Sequence, residues 1–210
     1  MGLFAKRTLV DPRVALPGRA EPILGPCRHA VFGIDVHDVP EGSEVAYFAL
    51  GCFWGEEKMF WNTPGVTNTA VGYQGGVTLH PTYEEVCSGR TNHAETVRVC
   101  FDPARVTYEA LVRQFFEAHD PTQGMRQGND IGTQYRSVLF PTSDAQAATA
   151  SAVFAEARER YRAAGYGDLT TEIRPVGADV FYWAEAYHQQ YLVKNPTRVC
   201  AVHATGVRCQ

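Results

Sequence analysis

An unbroken apolar run, Val45-Ala46-Tyr47-Phe48-Ala49-Leu50, passes directly into Gly51-Cys52-Phe53-Trp54-Gly55, and this junction constrains the fold more than any other stretch of the chain. An apolar run of that length reads as a strand buried on both faces. Glu56-Glu57-Lys58-Met59-Phe60-Trp61 then reads as helix, so Cys52 stands where buried strand gives way to helix. Unpaired N–H groups and the helix dipole at such a point stabilise a thiolate and can lower a cysteine pKa from about 8.5 to ~3.5–7.5. A small inert thiol in a strand–helix corner is the plainer role for such a residue. Phe53 and Trp54, side by side at a helix start, point to a lined pocket, with core packing still open to either.

Around this junction the chain reads as follows. Residues 1–27 carry Pro12, Pro17, Pro22 and Pro26 with Gly18 and Gly25, which fits an extended arm wrapped on the domain. Val66 to Tyr73 reads as a strand, and Pro81 to Cys87 as a short helical turn with proline near its start. In the strand His93 to Phe101, alternation puts Val97, Val99 and Phe101 on one face, and Glu95 shares their parity. Its carboxyl is either a strand-end group turned to water or one held in a poor solvent for charge, and the second would raise its pKa and make it a proton donor near neutrality. Tyr108 to His119 has helical spacing, and a long loop from Asp120 through Asp130 leads to a strand at Tyr135–Phe140. An alanine-rich helix is expected over 142–164, strands at Thr170–Arg174 and Val180–Trp183, a closing helix at Ala184–Lys194, and a mobile tail over 197–210.

A chain of 210 residues buries roughly 70% of its unfolded surface and folds without a metal or disulfide staple. Strands and helices interleave with no repeat or linker, so one α/β domain is expected, with 44–196 as its body. A net charge of −4 without a basic stripe argues against nucleic acid and anionic membrane as partners. The segment 45–55 is too short to span a bilayer, no signal-peptide apolar region opens the chain, and Met1-Gly2 lacks the myristoylation pattern; a cytoplasmic monomer is expected. The six cysteines, at 27, 52, 87, 100, 200 and 209, include no Cys-x-x-Cys and no zinc-finger spacing. Free thiols are therefore expected, with any disulfide transient and catalytic.

Gly51 to Gly55, Gly72-Tyr73 with Gly75-Gly76, Pro81-Thr82-Tyr83, His93-Ala94-Glu95, Gln127 to Asp130 with Gly132 to Ser137, and Tyr187 to Leu192 together resemble peptide methionine sulfoxide reductase A in content and order, over about residues 44–196. The resemblance implies a two-layer α/β sandwich of the ferredoxin-like plait type, with a mixed sheet, packed helices and coil-rich ends. It implies reduction of the S-epimer of methionine sulfoxide, free or in proteins, with no bound cofactor and with thioredoxin or dithiothreitol as external reductant. Carried over by motif, Cys52 is the nucleophile and Glu95 the proton donor. Tyr83, Asp130 and Tyr135 become polar partners of the sulfoxide oxygen, and Phe53 with Trp54 the pocket for the methyl group. The tail resembles that of members with two C-terminal cysteines, which makes Cys200 the resolving thiol and Cys209 the recycling thiol. That tail retains Gly206 as its one glycine between the two cysteines, so it is stiffer than the resemblance implies.

The chemistry agrees. A sulfoxide oxygen leaves poorly, so attack at sulfur needs a thiolate together with an acid, and phenol donors would stabilise charge developing on oxygen. Cys27 and Cys100 read as structural; Cys87, four residues after Tyr83, shares a helical face with it and reads as inert. Two rival functions are a thiol hydrolase using His93 or His188 as base and a non-enzymatic module binding methionine-rich surfaces through Phe53 and Trp54.

Overall fold

The computed structural model describes residues 7–200 and 203–209; the first six residues of the expected arm, with Met1-Gly2, and Ala201, Val202 and Gln210 of the tail lie outside the described residues. Its sheet is built from β1 (Glu44–Ala49), β2 (Val66–Gln74), β3 (Ala94–Phe101), β6 (Val138–Phe140), β7 (Glu172–Ile173) and β8 (Tyr182–Trp183) in the order β7-β6-β1-β3-β2-β8. Every pairing is antiparallel except β6 with β7, so the sheet is mixed. The helices are α1 (Phe53–Trp61), α2 (Tyr83–Cys87), α3 (Tyr108–Ala118), α4 (Asp144–Ala163) and α5 (Tyr191–Lys194).

Alternation along the strands explains the layering. Ala46 and Phe48 of β1 and Val97, Val99 and Phe101 of β3 join Phe60 of α1, Phe115 and Phe116 of α3 and Val153 and Ala157 of α4 in one buried cluster. Phe48 stacks on Phe60 at 4.9 Å. The opposite face is covered largely by coil: Leu24 and Val36 pack on Ala70 of β2. There the buried Arg98 guanidinium donates to the carbonyls of Val36 and Asp38 and lies over Trp183, which satisfies a charge that the strand's parity turns away from the helices. The arm runs along residues 79–92: Arg19 forks onto Glu85 at 2.9 and 3.0 Å, and Asn92 exchanges two 2.8 Å bonds with the backbone of Val10.

The expected elements are present with shorter ends. The 170–174 and 180–183 strands pair over two residues each, and the strand expected from Tyr135 begins at Val138, because Thr133–Tyr135 closes a 3-10 turn. Within the long loop, β4 (Arg126–Gln127) and β5 (Asp130–Ile131) form a small hairpin. The closing helix expected over 184–194 is a correction: only Tyr191–Lys194 is helical, and Gln190 has φ +48°. Gln189 is the reason. Its amide accepts from Val71 N–H and donates to Val71 C=O, both at 2.9 Å, so a side chain continues the sheet where β8 stops. Residue spacing carries no trace of a backbone held by its own side chains in this way. No helix among the described residues is long and apolar enough to cross a membrane.

Candidate active site

Cys52 caps the N-terminus of α1 with extended geometry, and no side chain occupies that cap. Gly51 before it has φ +133°, and a Cβ there would meet Gln127 Cγ at 2.8 Å, so the turn from β1 into α1 admits only glycine. The first N–H groups of the helix are thereby left for the site. Phe53 N–H donates to Glu95 Oε2 at 3.1 Å.

Glu95 lies on β3 opposite Tyr73 and is 1% exposed, which decides between the two environments open to it from sequence. Burial pushes its carboxyl up to about 8, against the pull of Phe53 N–H and with help from the charges of Asp130 and Cys200. At neutral pH it is a protonated acid bordering the same cavity as the thiol.

The Cys52 thiol is hydrogen-bonded to Cys200, whose sulfur also takes the N–H of Gly55. A Cβ at position 55 would stand 3.2 Å from Cys200 Sγ, so this glycine makes room for the second thiol. The two sulfurs titrate as a pair. Sharing a proton lowers Cys200 to about 7, whereas the proton left on Cys52 is held well above the ordinary thiol range by that hydrogen bond and by burial.

A cavity of about 350 Å³ opens in front of this pair, and eight residues singled out from sequence border it: Cys52, Phe53, Trp54, Tyr83, Glu95, Asp130, Tyr135 and Cys200. Tyr83 begins α2, where the Thr82–Glu85 capping box fixes the turn and Tyr83 N–H donates to Glu185 at 2.8 Å. Burial raises the phenols of Tyr83 and Tyr135 above their usual range, so both remain protonated donors. Tyr83 is also hydrogen-bonded with the Cys87 thiol. The Trp54 ring stacks on Tyr191 at 3.8 Å and donates to His188 Nδ1 at 2.9 Å, and Phe53 packs 5.1 Å from the same imidazole.

Cys209 is not brought to the cavity. It is buried against the core, its N–H donates to Glu117 at 2.6 Å and its carbonyl accepts from Arg113. Arg208 pairs with the same Glu117 at 3.2 Å, and Thr205 meets Tyr161 OH at 2.9 Å. Burial and the Glu117 charge push the Cys209 thiol up to about 11. In this conformation the end of the expected mobile tail is seated on α3 and α4.

Sequence reasoning missed two buried carboxyls on α1. Glu57 accepts from Thr69 at 3.1 Å and from Gln190 N–H and side chain at 2.8 and 2.7 Å, tying α1 to β2 and to the turn before α5. Glu56 lies beside Cys52. The signal available was two adjacent glutamates in the first turns of a helix following a buried strand; no periodicity assigns both to the interior. Glu185, which supports Tyr83 and accepts from Tyr73 OH at 2.9 Å, carried no signal. His93, offered as a base for a thiol hydrolase, is spent on Gly76 N–H and the Thr78 carbonyl. His188 accepts from Trp54, and burial lowers both imidazoles to about 4.

The profile of the family described as peptide methionine sulfoxide reductase matches residues 44–209. The chain belongs to this family. It is 59% identical over 210 residues to peptide methionine sulfoxide reductase MsrA 1 of Caulobacter vibrioides, covering 99% of this chain and 96% of that protein. It is 55% identical to the MsrA of Streptomyces griseus over 203 residues, 96% of this chain and 91% of that one. Among solved structures, methionine sulfoxide reductase A of Corynebacterium diphtheriae superposes with a TM-score of 0.87 at 48% identity, covering 96% of this chain and 98% of that one. Mxr1 of Saccharomyces cerevisiae in its reduced form gives 0.67 at 36% identity, over 77% and 91%. The protein is thus a thiol-dependent methionine sulfoxide reductase, an oxidoreductase built on a mixed sheet with packed helices.

Proposed function

We propose that this reductase acts on the S-epimer of methionine sulfoxide, free and within oxidised proteins, through a sulfenic acid on Cys52 and a disulfide relay over Cys200 and Cys209. The observation that carries the reading is the meeting of a helix-terminal thiol, a protonated buried carboxyl and a second thiol around one cavity. Cys52 passes its proton to the hydrogen-bonded Cys200 sulfur as it attacks the sulfoxide sulfur, and Glu95 protonates the oxygen. Methionine leaves, and Cys52 carries the oxygen as S–OH. Tyr83, Tyr135 and Asp130 serve as the polar partners of that oxygen, and Phe53 with the clamped Trp54 receive the methyl group. Cys200 then displaces the hydroxyl of Cys52 as water and forms the Cys52–Cys200 disulfide. Cys209 attacks the Cys200 sulfur, frees Cys52, and leaves a Cys200–Cys209 disulfide for thioredoxin, with dithiothreitol as its laboratory substitute. Because Cys209 is buried here, that attack requires the tail to leave α3 and α4.

The strand order β6-β1-β3-β2 with antiparallel neighbours supports reading the sheet as a ferredoxin-like plait with two short added edges. The test of the activity is an assay of the separated epimers with dithiothreitol. Methionine should form from the S-epimer alone, and from none in Cys52→Ser; equal turnover of both epimers, or activity surviving Cys52→Ser, would sink the reading. For the relay, Cys209→Ser should accumulate a Cys52–Cys200 bond visible by mass spectrometry, while a first disulfide between Cys52 and Cys209 in the unaltered protein would reverse the order.

A further inference from the structure

Trp54 borders the catalytic cavity, and two contacts from one short stretch of chain hold its indole. Tyr191 stacks on it at 3.8 Å with the ring planes 9° apart, and His188 Nδ1 accepts its Nε1–H at 2.9 Å. A stack fixes the plane of a flat ring but lets the ring slide and turn within that plane. The hydrogen bond removes this freedom, because the indole edge has a single donor. His188 is fully buried, and its ring lies 4.6 Å from that of Tyr83 and 5.1 Å from that of Phe53, so it touches three residues of the cavity wall. An imidazole that accepts at Nδ1 carries its proton on Nε2, and that nitrogen has no hydrogen-bond partner among the described residues; Glu185 Oε2 stands 3.8 Å away. A buried donor left unpaired costs stability, so this ring is oriented for Trp54 at its own expense. The stretch itself is anchored from both sides. Gln189 bonds to Val71 at the edge of β2, and Gln190 bonds to Glu57 of α1.

We propose that His188 is a positioning residue that sets the width of the methyl pocket: by holding the Nε1 edge of Trp54 it makes the enzyme select S-methyl sulfoxides over those with a larger S-alkyl group. This inference rests on the assignment of Phe53 and Trp54 to the substrate methyl group above. An indole pinned at its edge and covered on one face by Tyr191 cannot swing aside to admit a longer group. One methylene in an apolar pocket changes kcat/KM by about 10–200-fold, which is the scale of selection a fixed ring wall can supply. Without the acceptor at position 188 the stack alone remains, and the wall yields. His188 takes no part in the bond changes at sulfur.

The test compares kcat/KM of the full chain for the S-epimers of methionine sulfoxide and ethionine sulfoxide, with dithiothreitol as reductant. The unaltered protein should prefer the methyl substrate by about 10–200-fold. His188→Leu should shrink that preference about tenfold, because it lowers kcat/KM for methionine sulfoxide more than for ethionine sulfoxide. His188→Asn, whose amide oxygen stands near the place of Nδ1, should restore most of it. A general loss of folded enzyme lowers both substrates by the same factor and leaves the ratio alone. In Trp54→Phe, which has no N–H to hold, adding His188→Leu should change the ratio no further. An unaltered ratio in His188→Leu overturns the proposal, as does a further change in the double variant. In the unaltered protein, nitrogen NMR should find the proton of the neutral His188 ring on Nε2; a proton on Nδ1 overturns the proposal even where no variant folds. No preference between the two substrates in the unaltered protein, or an unaltered ratio in Trp54→Phe, counts against the methyl pocket itself instead.

Discussion

At the scale of single residues, the site works by withholding water from carboxyls and phenols. Glu95 shares the parity of Val97 and Val99, and because both faces of β3 are covered that parity places a carboxyl inside the protein. Its pKa of about 8 keeps the acid loaded at neutrality, so the rate of sulfoxide reduction should fall as pH rises through about 8. Replacing it with glutamine preserves the Phe53 N–H acceptor and removes the proton. Glu95→Gln should therefore slow methionine formation by about 10²–10⁴-fold with an unchanged circular dichroism spectrum. A near-normal rate in a folded variant would reject the acid role, and loss of the fold would recast Glu95 as a structural carboxyl. Alternation made this residue visible from sequence. Glu56 and Glu57 were not visible, since a helix turning every 3.6 residues has room for one of two adjacent positions on its apolar stripe, and here both are enclosed by tail, loop and sheet together.

At the scale of elements, the tail and the turn before α5 are where local pattern and structure part. The tail has almost no periodicity, so a free chain end is the natural expectation; its placement instead comes from polar pairs with α3 and α4 far away in sequence. Glu117 holds both the Cys209 N–H and the Arg208 side chain, and Arg113 and Arg160 hold the carbonyls of Cys209 and Arg208. A thiol seated in this way and raised to about 11 should react slowly with iodoacetamide in the reduced native protein. Glu117→Ala should hasten alkylation of Cys209 several-fold while leaving that of Cys27 unchanged, read by peptide mass spectrometry; identical rates at Cys209 would show that the clasp does not hold it. The same logic applies to Gln189, which replaces a strand at the edge of β2. Gln189→Ala leaves Val71 N–H buried without a partner, while Val71 C=O keeps its bond from Ala184 N–H, and should lower stability by about 1–3 kcal/mol, measured by urea unfolding.

At the scale of the whole molecule, titration should shape stability from both sides. His29, His93, His119 and His188 are buried neutral with imidazoles lowered to about 4 from an ordinary 6.5. Their contribution is present above about 6.5 and is lost as pH falls through about 4, because unfolding then takes up protons. Glu57 and Glu95 are raised to about 7 and 8 from 4.5, so their contribution is present below 4.5 and is lost as pH rises through those values. The melting temperature by calorimetry should peak near pH 6.5 and fall on both sides; a steady rise to pH 8.5 would contradict this balance. By itself the sequence determined the alternation of strand and helix, the strand–helix junction that presents Cys52, the parity that Glu95 shares with Val97 and Val99 and, through its motifs, the family. These are properties of residue type at short spacing, where backbone sterics and side-chain periodicity act directly. Only the tertiary structure decided that Glu56 and Glu57 lie inside, that Gln189 ends the sheet in place of a helix, that Cys200 meets Cys52 across Gly55 and that Cys209 is held on α3 and α4. Each of those depends on desolvation and hydrogen bonding between segments up to about 150 residues apart, which a local pattern does not encode.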